Sequence, residues 1–272
     1  MQMGLTDRVA IVTGSSTGIG LAIGRALAAE GARVVLSARG RERLEEARRA
    51  LATELGTAVE AIPADVGTAA GCAELVEGVR ARFGRIDVLV NNAGGAGGPG
   101  GFMNLADEDW QHAFDLNLMS AVRCSRAVIP DMQKQGGGRI VMISSTSGHQ
   151  PDTVVCHYNA AKAALLNLSK TLANAFAADR ILVNCVCPGL TRTPAVESSA
   201  FHRLAEEGRP VAGLTADEAV AAYYGPRRPI PLGRAGMPEE IAGLVVFLCS
   251  DQASWITGTC INADGGWTKR MV

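Results

Sequence analysis

The chain has 272 residues, 47% of them hydrophobic and 19% charged, with a formal net charge of −1. This length and composition suit one large α/β domain with a well-buried core. The near-balanced charge lacks the basic excess of a typical nucleic-acid-binding surface, so we expect no nucleic-acid partner.

Strand and helix patterns alternate along the chain. Strands are predicted at residues 8–13, 33–38, 59–63, 86–90, 139–143, 181–187 and 259–262. Helices are predicted at residues 19–30 and 41–55 and near 68–83, 107–135, 155–178 and 238–250. Strands rich in valine and isoleucine, each followed by a helix, favour parallel pairing with helices on both faces. Right-handed crossovers then predict a doubly wound parallel sheet of about seven strands, in a single α/β domain over residues 1–272.

A glycine-rich turn follows the first predicted strand, in the segment Thr13-Gly-Ser-Ser-Thr-Gly-Ile-Gly20. Glycines let the chain turn tightly and approach a pyrophosphate, and the following helix points its free N–H groups at that anion. An isolated turn of this kind can equally be a plain connection. Its place in the first strand–helix unit favours dinucleotide binding, because the nucleotide turn belongs there in such folds.

The end of the second predicted strand bears on the choice of cofactor. An NAD site usually places Asp or Glu about 20 residues after the glycines, where it binds the ribose 2′-hydroxyl. This chain has Ala38 there, between Ser37 and Arg39. The missing carboxylate and the arginine favour a 2′-phosphate, although Arg39 could also be a solvated charge near a helix start. We therefore expect NADP(H), with NAD(H) as the alternative.

Tyr158 and Lys162 lie four residues apart, and Ser145 precedes the tyrosine by thirteen. A spacing of four places the phenol and the ammonium on one helix face. A free tyrosine keeps its proton up to about pH 10, and a neighbouring cation lowers that pKa. The pattern predicts a proton donor or acceptor for a carbonyl or an alcohol, although the Tyr-x-x-x-Lys spacing alone also arises by chance.

Two regions interrupt the alternation, residues 94–101 and residues 194–236, and both are predicted to be irregular. Both follow strand ends, where ligands bind in such sheets. The longer region is predicted to be a substrate lid. It carries six large apolar or aromatic residues that indicate either an apolar underside or a pocket for a bulky hydrophobic substrate: Phe201, Leu204, Val211, Leu214, Tyr223 and Tyr224. Further candidates for the pocket wall lie between the serine and the tyrosine, at Gln150, Asp152 and Thr153.

Taken together, the motifs resemble the short-chain dehydrogenase/reductase family over almost the whole chain. Besides the glycine turn, the matching segments are Asp65-Val66, Asn91-Asn-Ala-Gly94, Asn117, Ser144-Ser145, Tyr158-x-x-x-Lys162 and Pro188-Gly189 with Thr193. The resemblance implies a Rossmann-like fold and an NAD(P)-dependent oxidoreductase. The simplest activity it implies is hydride transfer between the nicotinamide cofactor and a ketone or secondary alcohol, most readily as an NADPH-dependent ketone reductase.

The resemblance also implies a role for each matching residue. The catalytic residues would be Asn117, Ser145, Tyr158 and Lys162. Ser145 would hydrogen-bond the substrate oxygen, Tyr158 would exchange the proton, and Lys162 would lower the tyrosine pKa and hold the nicotinamide ribose. Asn117 would order a water that continues the proton relay. The cofactor-binding residues would be Gly14, Ser16, Thr17, Gly18, Ile19, Gly20, Ser37, Arg39, Asp65, Val66, Asn91, Ala93, Gly94, Tyr158, Lys162, Pro188, Gly189, Leu190 and Thr193. Thr17 departs from the NADP-type pattern, in which many members carry a basic residue at that place.

Other signals concern the setting of the protein. The seven cysteines are scattered without zinc-ligand spacing, so we expect no metal site and a reducing compartment. Cys185 and Cys187 alternate with valines and are expected to lie in the core. The chain shows no secretory signal and no apolar run near the ~18 residues of a membrane helix, so we expect a cytoplasmic protein without a membrane partner. In the family it resembles, the helix that covers residues 163–176 commonly packs against a partner subunit, which implies a homotetramer.

Three functions remain open on the sequence alone. The first is the oxidoreductase that acts on a small-molecule carbonyl or alcohol. The second is a 3-oxoacyl-thioester reductase, whose substrate is carried by acyl carrier protein or coenzyme A. The third is a binding protein that senses the cofactor without chemistry, although such proteins usually lose the tyrosine or the lysine.

Overall fold

The computed structural model describes residues 2–98 and 100–269. Its strands are β1 (Val9–Thr13), β2 (Arg33–Ser37), β3 (Val59–Ala61), β4 (Val88–Asn91), β5 (Gly138–Ile143), β6 (Ile181–Pro188) and β7 (Cys260–Ala263). Its α-helices are α1 (Gly18–Ala29), α2 (Arg41–Leu55), α3 (Ala69–Phe83), α4 (Asp107–Phe114), α5 (Ser120–Lys134), α6 (Cys156–Phe176), α7 (Pro194–Glu206), α8 (Ala216–Tyr224) and α9 (Pro238–Cys249). Every predicted strand is present, within two residues of its predicted ends.

The strands form one parallel sheet in the order β3-β2-β1-β4-β5-β6-β7. From β1 the chain first moves outward to β3, then crosses back and continues through β4 to β7. This confirms the predicted doubly wound α/β fold. In such sheets ligands bind beyond the carboxyl ends of the strands where the order reverses, which here are the ends of β1 and β4.

Each face of the sheet is covered by a hydrophobic core. Along β1, Ala10 and Val12 pack on the side of α1 and α9, whereas Val9 and Ile11 pack on the side of α3, α5 and α6. This alternation follows from the two-residue period of a strand. Within the part of the chain that the structure describes, no helix has the length and apolar character needed to cross a membrane.

The predicted helix at 107–135 is interrupted. A π-helical turn at Asp115–Met119 separates α4 from α5. Such turns widen the helix by one residue and often occur at functional sites. The π-helical turn carries Asn117, which is one of the predicted site residues.

The prediction that residues 194–236 are irregular is wrong, since the region contains α7 and α8. Thr193 caps α7 by accepting a hydrogen bond from the N–H of Val196, and Pro194 occupies the first helical position. Thr215 and Glu218 form a capping box at the start of α8. The two helices share a small core of their own, made by Ala200, Leu204, Ala219 and Val220.

Candidate active site

The glycine turn adopts a shape that only glycine tolerates well. Gly14 and Gly18 have φ values of +63° and +59°, in the left-handed region where a side chain is strained. At Gly20, a Cβ would lie 2.4 Å from both the Nδ2 of Asn92 and the carbonyl oxygen of Gly14. These glycines therefore allow the turn to pack closely against the chain after β4.

The N-terminus of α1 opens into a cleft. Thr17 occupies the N-cap position but makes no side-chain hydrogen bond to the first turn, so the first N–H groups have no capping side chain. A cavity of about 740 Å³ begins there and extends to Tyr158 and Lys162. Free N–H groups and the positive end of a helix dipole make this end of the cavity suitable for phosphate.

The structure brings most of the predicted residues to this cavity. Those on its wall are Gly14, Thr17, Gly18, Ile19, Gly20, Gly94, Ser145, Tyr158, Lys162, Pro188, Gly189, Leu190 and Thr193. Those outside its wall are Ser16, Ser37, Arg39, Asp65, Val66, Asn91, Ala93 and Asn117. The second group lies mainly toward the adenosine end of the predicted cofactor site.

At that end, Arg39 is exposed and forms no ion pair within residues 2–98 and 100–269. The Ser37 hydroxyl is buried and has no hydrogen-bond partner in the same described part of the chain. An exposed guanidinium that lacks an ion-pair partner in the described part of the chain fits a 2′-phosphate. Asn91 lies deeper, where its amide donates to the Ser125 hydroxyl at 3.1 Å.

Asn92 is a structural part of the turn that the sequence did not single out. Its Nδ2 donates to the carbonyl oxygens of Thr13 and Gly14, at 2.9 and 3.0 Å. In return, the Thr13 hydroxyl accepts from the N–H groups of Asn92 and Ala93, both at 3.0 Å. The carboxyl ends of β1 and β4 are thereby locked together beneath the cavity. Asn92 is the second asparagine of the Asn91-Asn-Ala-Gly94 motif, and that motif is the sequence pattern that could have identified it.

Tyr158 stands in the cavity wall on the first turn of α6. Burial raises the pKa of its phenol above the usual 10, while the Ser145 hydroxyl and the charge of Arg228 act in the opposite direction. The net direction is upward because loss of solvent outweighs the opposing effects, and the lowering by Lys162 stays a prediction. A phenol with a raised pKa keeps its proton at neutral pH and can serve as an acid.

Lys162 is almost fully buried, with 3% of its surface exposed. Its Nζ donates to the carbonyl oxygen of Ile143 at 2.9 Å and lies over the Tyr158 ring, 5.5 Å from the ring centre. Burial lowers the pKa of this ammonium to about 8. The lysine is thus held at the end of β5, with its charge available at neutral pH and lost in mild alkali.

Asn117 lies beside this pair on the π-helical turn. Its Oδ1 accepts from the N–H of Gly95, and its Nδ2 donates to the carbonyl oxygens of Gly95 and Ala113, at distances of 2.9 to 3.0 Å. Gly94 fits between two of the predicted catalytic side chains, since a Cβ there would lie 2.7 Å from Asn117 Oδ1 and 3.0 Å from Lys162 Nζ. Both amide donors of Asn117 are in use, so only its oxygen can accept a further hydrogen bond.

The far wall of the cavity is formed after β6. A Cβ at Gly189 would lie 2.7 Å from the Cβ of Asp264, so this position admits no side chain. Thr193 caps α7 and also reaches the glycine turn, where its methyl would lie 3.2 Å from a Cβ at Gly18. The segment after β6 therefore contacts the glycine turn along one side of the cavity.

The apolar residues of the 194–236 region mostly serve its own core. Phe201, Val211 and Leu214 pack against Leu204 and its neighbours, as do the tyrosines of α8. Of the six predicted, only Tyr223 and Tyr224 also reach the cavity wall. A pocket for a medium-sized or bulky hydrophobic substrate stays a prediction, to which only the two tyrosines of the six residues can contribute.

Two charged side chains also act on Tyr158. Asp152, which the sequence proposed, and Arg228, which it missed, both line the cavity. Arg228 donates to Asp152 Oδ2 at 3.2 Å. Arg228 reaches the cavity through the path of residues 194–236, so no local pattern could have revealed it.

The core positions predicted for Cys185 and Cys187 are confirmed. All seven cysteines are free, and Cys185 and Cys187 are fully buried in β6. No group of three or more His, Cys, Asp or Glu side chains with metal-binding geometry occurs among the described residues. His157 is also buried, and its ring packs edge-on against Trp110 with the ring centres 6.2 Å apart.

Comparison with known proteins agrees with this geometry. Residues 8–203 match the family model for short chain dehydrogenases, and residues 212–268 match the model named for enoyl-(acyl carrier protein) reductase. The structure of L-sorbose reductase from Gluconobacter frateurii, complexed with NADPH and L-sorbose, superposes with a TM-score of 0.92 at 41% identity and 100% coverage of both chains.

Two curated relatives are similar over almost their whole length. A Streptomyces virginiae protein named as a ketoacyl reductase of the monensin polyketide synthase is 40% identical, over 96% of this chain and 97% of its own. The 3-oxoacyl-[acyl-carrier-protein] reductase of Escherichia coli is 36% identical, over 97% of this chain and 98% of its own. With the glycine turn, the Ser145–Tyr158–Lys162 cluster and these similarities in place, the chain belongs to the short-chain dehydrogenase/reductase family.

Proposed function

We propose that the protein is an NADPH-dependent ketone reductase that converts a ketone to a secondary alcohol. The observation that carries this proposal is one continuous cavity, with the glycine turn at one end and Ser145, Tyr158 and Lys162 at the other. The relatives that are named for reduction of a ketone or ketoacyl group support the direction.

The residues present fit a dinucleotide with a 2′-phosphate. The open N-terminus of α1 and the left-handed glycines would hold the pyrophosphate. Arg39 and Ser37 would hold the 2′-phosphate, and Lys162 the nicotinamide ribose. A reduced nicotinamide bound in this cleft supplies the hydride that adds to the carbonyl carbon.

The protein supplies the proton and stabilises the developing charge. Ser145 and Tyr158 donate hydrogen bonds to the carbonyl oxygen, which becomes more negative as the reaction proceeds. Tyr158 then transfers its proton to that oxygen. Its raised pKa favours this acid role at neutral pH, and the Lys162 cation stabilises the phenolate that remains. A water that donates to Asn117 Oδ1 would continue the proton relay.

A 3-oxoacyl-thioester reductase is the second candidate, because the 36% identical Escherichia coli relative is named for that activity. Such an enzyme shares the proposed hydride and proton chemistry. The two candidates differ only in the group attached to the ketone.

The proposed assembly is a homotetramer in the cytoplasm. Trp255 is 99% exposed and lies just before the edge strand β7, as expected for an apolar contact with a second subunit. Seven free thiols fit a reducing compartment.

The test is NADPH oxidation by the purified protein with a panel of ketones, hydroxyketones and an acetoacetyl thioester. We expect turnover of at least one ketone and a strong preference for NADPH over NADH. Tight binding of NADPH without turnover of any carbonyl would contradict the proposal and favour a cofactor-sensing protein.

A further inference from the structure

Arg228 enters the cavity from the segment that follows α8. Its guanidinium lies between two aromatic rings, 5.3 Å from the ring centre of Trp267 and 6.0 Å from that of Tyr224. The donation to Asp152 Oδ2 is its one side-chain hydrogen bond within the described part of the chain. Because a guanidinium has five N–H donors, several remain for another partner.

Asp152 is itself fixed in place. Its Oδ1 accepts from the N–H groups of Val154 and Val155, at 2.9 and 3.1 Å. Its backbone carbonyl accepts from the Nδ2 of Asn159, at 2.7 Å, which anchors it to α6. The carboxylate therefore presents Oδ2 to Arg228 from a rigid position six residues before Tyr158.

The pair stands next to the reacting phenol. Arg228 and Asp152 line the same cavity as Ser145 and Tyr158, and the charge of each is felt at the phenol. A substrate whose carbonyl oxygen is bound by Ser145 and Tyr158 therefore shares one cavity with the Arg228–Asp152 pair.

The charges of the pair decide which groups it favours. Asp152 neutralises Arg228, and its carboxylate would repel a carboxylate on a substrate. A hydroxyl suits the pair better, because it can accept from the guanidinium and donate to the carboxylate at once. A second polar pair on the wall consists of the hydroxyls of Tyr224 and Ser199, which lie 3.3 Å apart. These hydroxyls can likewise both donate and accept hydrogen bonds.

We propose that Arg228 and Asp152 form a binding subsite for a hydroxyl adjacent to the reacting carbonyl, so that the substrates are hydroxyketones of the sugar type. This inference rests on the proposed ketone reductase function and narrows it. Such a subsite would give this protein a different substrate preference from reductases of simple ketones and of acyl thioesters.

The experiment compares two isosteric substrates, hydroxyacetone and butanone, in which a hydroxyl replaces a methyl. With saturating NADPH, we expect kcat/KM for hydroxyacetone to exceed that for butanone by at least ~10-fold, as one or two buried hydrogen bonds allow. Arg228→Met should bring the ratio of the two kcat/KM values close to one. Arg228→Lys, which keeps the charge but loses the fork of donors, should give an intermediate ratio.

Arg227→Met is the matched control. Arg227 is adjacent, stacks on the Tyr223 ring at 4.1 Å and pairs with Glu207, but lies outside the cavity wall. It should keep the wild-type ratio. If Arg228→Met cannot be purified folded, Asp152→Asn provides the same test from the other partner, with the same fall in the ratio expected.

The outcomes separate this inference from the proposed function. Turnover of both ketones at equal efficiency by the wild type, or a ratio unchanged in Arg228→Met, would overturn the subsite and leave the reductase standing. An acetoacetyl thioester preferred over hydroxyacetone would also overturn it. Failure of NADPH oxidation with every carbonyl would overturn the reductase function and the subsite with it.

Discussion

The ammonium of Lys162 lies 5.5 Å from the centre of the Tyr158 ring, one turn further along α6. The same ammonium donates to the carbonyl oxygen of Ile143, the last residue of β5. The catalytic helix is thus tied to the carboxyl end of the sheet through a buried cation. Keeping that cation away from water is unfavourable, and this produces a measurable dependence on pH.

Lys162→Met should change the pH dependence of stability in a defined direction. Burial lowers the pKa of Lys162 to about 8 from its ordinary 10.5, so the unfolded chain holds this proton more tightly than the folded one. Between these two pH values the lysine therefore makes the free energy of unfolding rise with pH. The full change is roughly 3 kcal/mol.

The measurement is urea unfolding of both proteins from pH 7 to the alkaline end of this window. The free energy of unfolding of the wild type minus that of Lys162→Met should increase as the pH rises. Cys185 and Cys187, which also lie near Lys162, are present in both proteins. A difference that is constant across the window would show that Lys162 is not buried as described.

Gly94→Ala should reduce activity. The added methyl would lie 2.7 Å from Asn117 Oδ1 and 3.0 Å from Lys162 Nζ, so one of these groups must move. Since displacements of about 1 Å at a catalytic group can lower rates ~100-fold, we expect kcat/KM to fall by ~10- to 100-fold. Gly95→Ala is the control, because nothing lies within 4 Å of a Cβ there, and it should leave kcat/KM nearly unchanged. Equal losses in the two variants would contradict the described packing.

Arg39→Ala should weaken the binding of NADPH much more than the binding of NADH. A charge-assisted hydrogen bond to phosphate contributes enough that KM for NADPH should rise ~10-fold or more, with little change for NADH. Arg43→Ala, another exposed arginine nearby on α2, serves as the control. If both cofactors were affected equally, Arg39 would not be the residue that selects NADP.

Asp87→Ala should destabilise the fold without altering the chemistry. This carboxylate is 2% exposed, accepts from the N–H of Val9 at 2.8 Å and binds the guanidinium of Arg85. Its removal leaves a buried donor unpaired, so the free energy of unfolding should fall by about 2–4 kcal/mol. Asp251→Ala, whose side chain is 55% exposed and pairs with Arg8, should cost less than about 1 kcal/mol. Similar losses for both would contradict the role given to Asp87.

The sequence predicted those features that depend on local pattern. The runs of valine and isoleucine located β1, β2, β4, β5 and β6, because a parallel strand covered on both faces must be apolar along its length. The glycine turn and the spacing of Ser145, Tyr158 and Lys162 identified part of the cavity wall.

Features that depend on distant contacts were missed. Asp152 and Arg228 are 76 residues apart, and only the fold brings them together. The helices α7 and α8 are short and are stabilised mainly by packing against each other, which periodicity does not reveal. The direction of the Tyr158 pKa shift depends on burial, which cannot be read from the four-residue spacing.

The central claim is that a hydride reaches the ketone carbon while Tyr158 supplies the proton. NADPH that carries deuterium in the transferred position at the nicotinamide C4, incubated with wild-type protein and an accepted ketone, should give an alcohol with deuterium on the carbinol carbon. Tyr158→Phe should bind NADPH as the wild type does but lose ~100- to 10,000-fold in kcat. A Tyr158→Phe variant that kept most of its activity, or an alcohol without the label, would contradict the account.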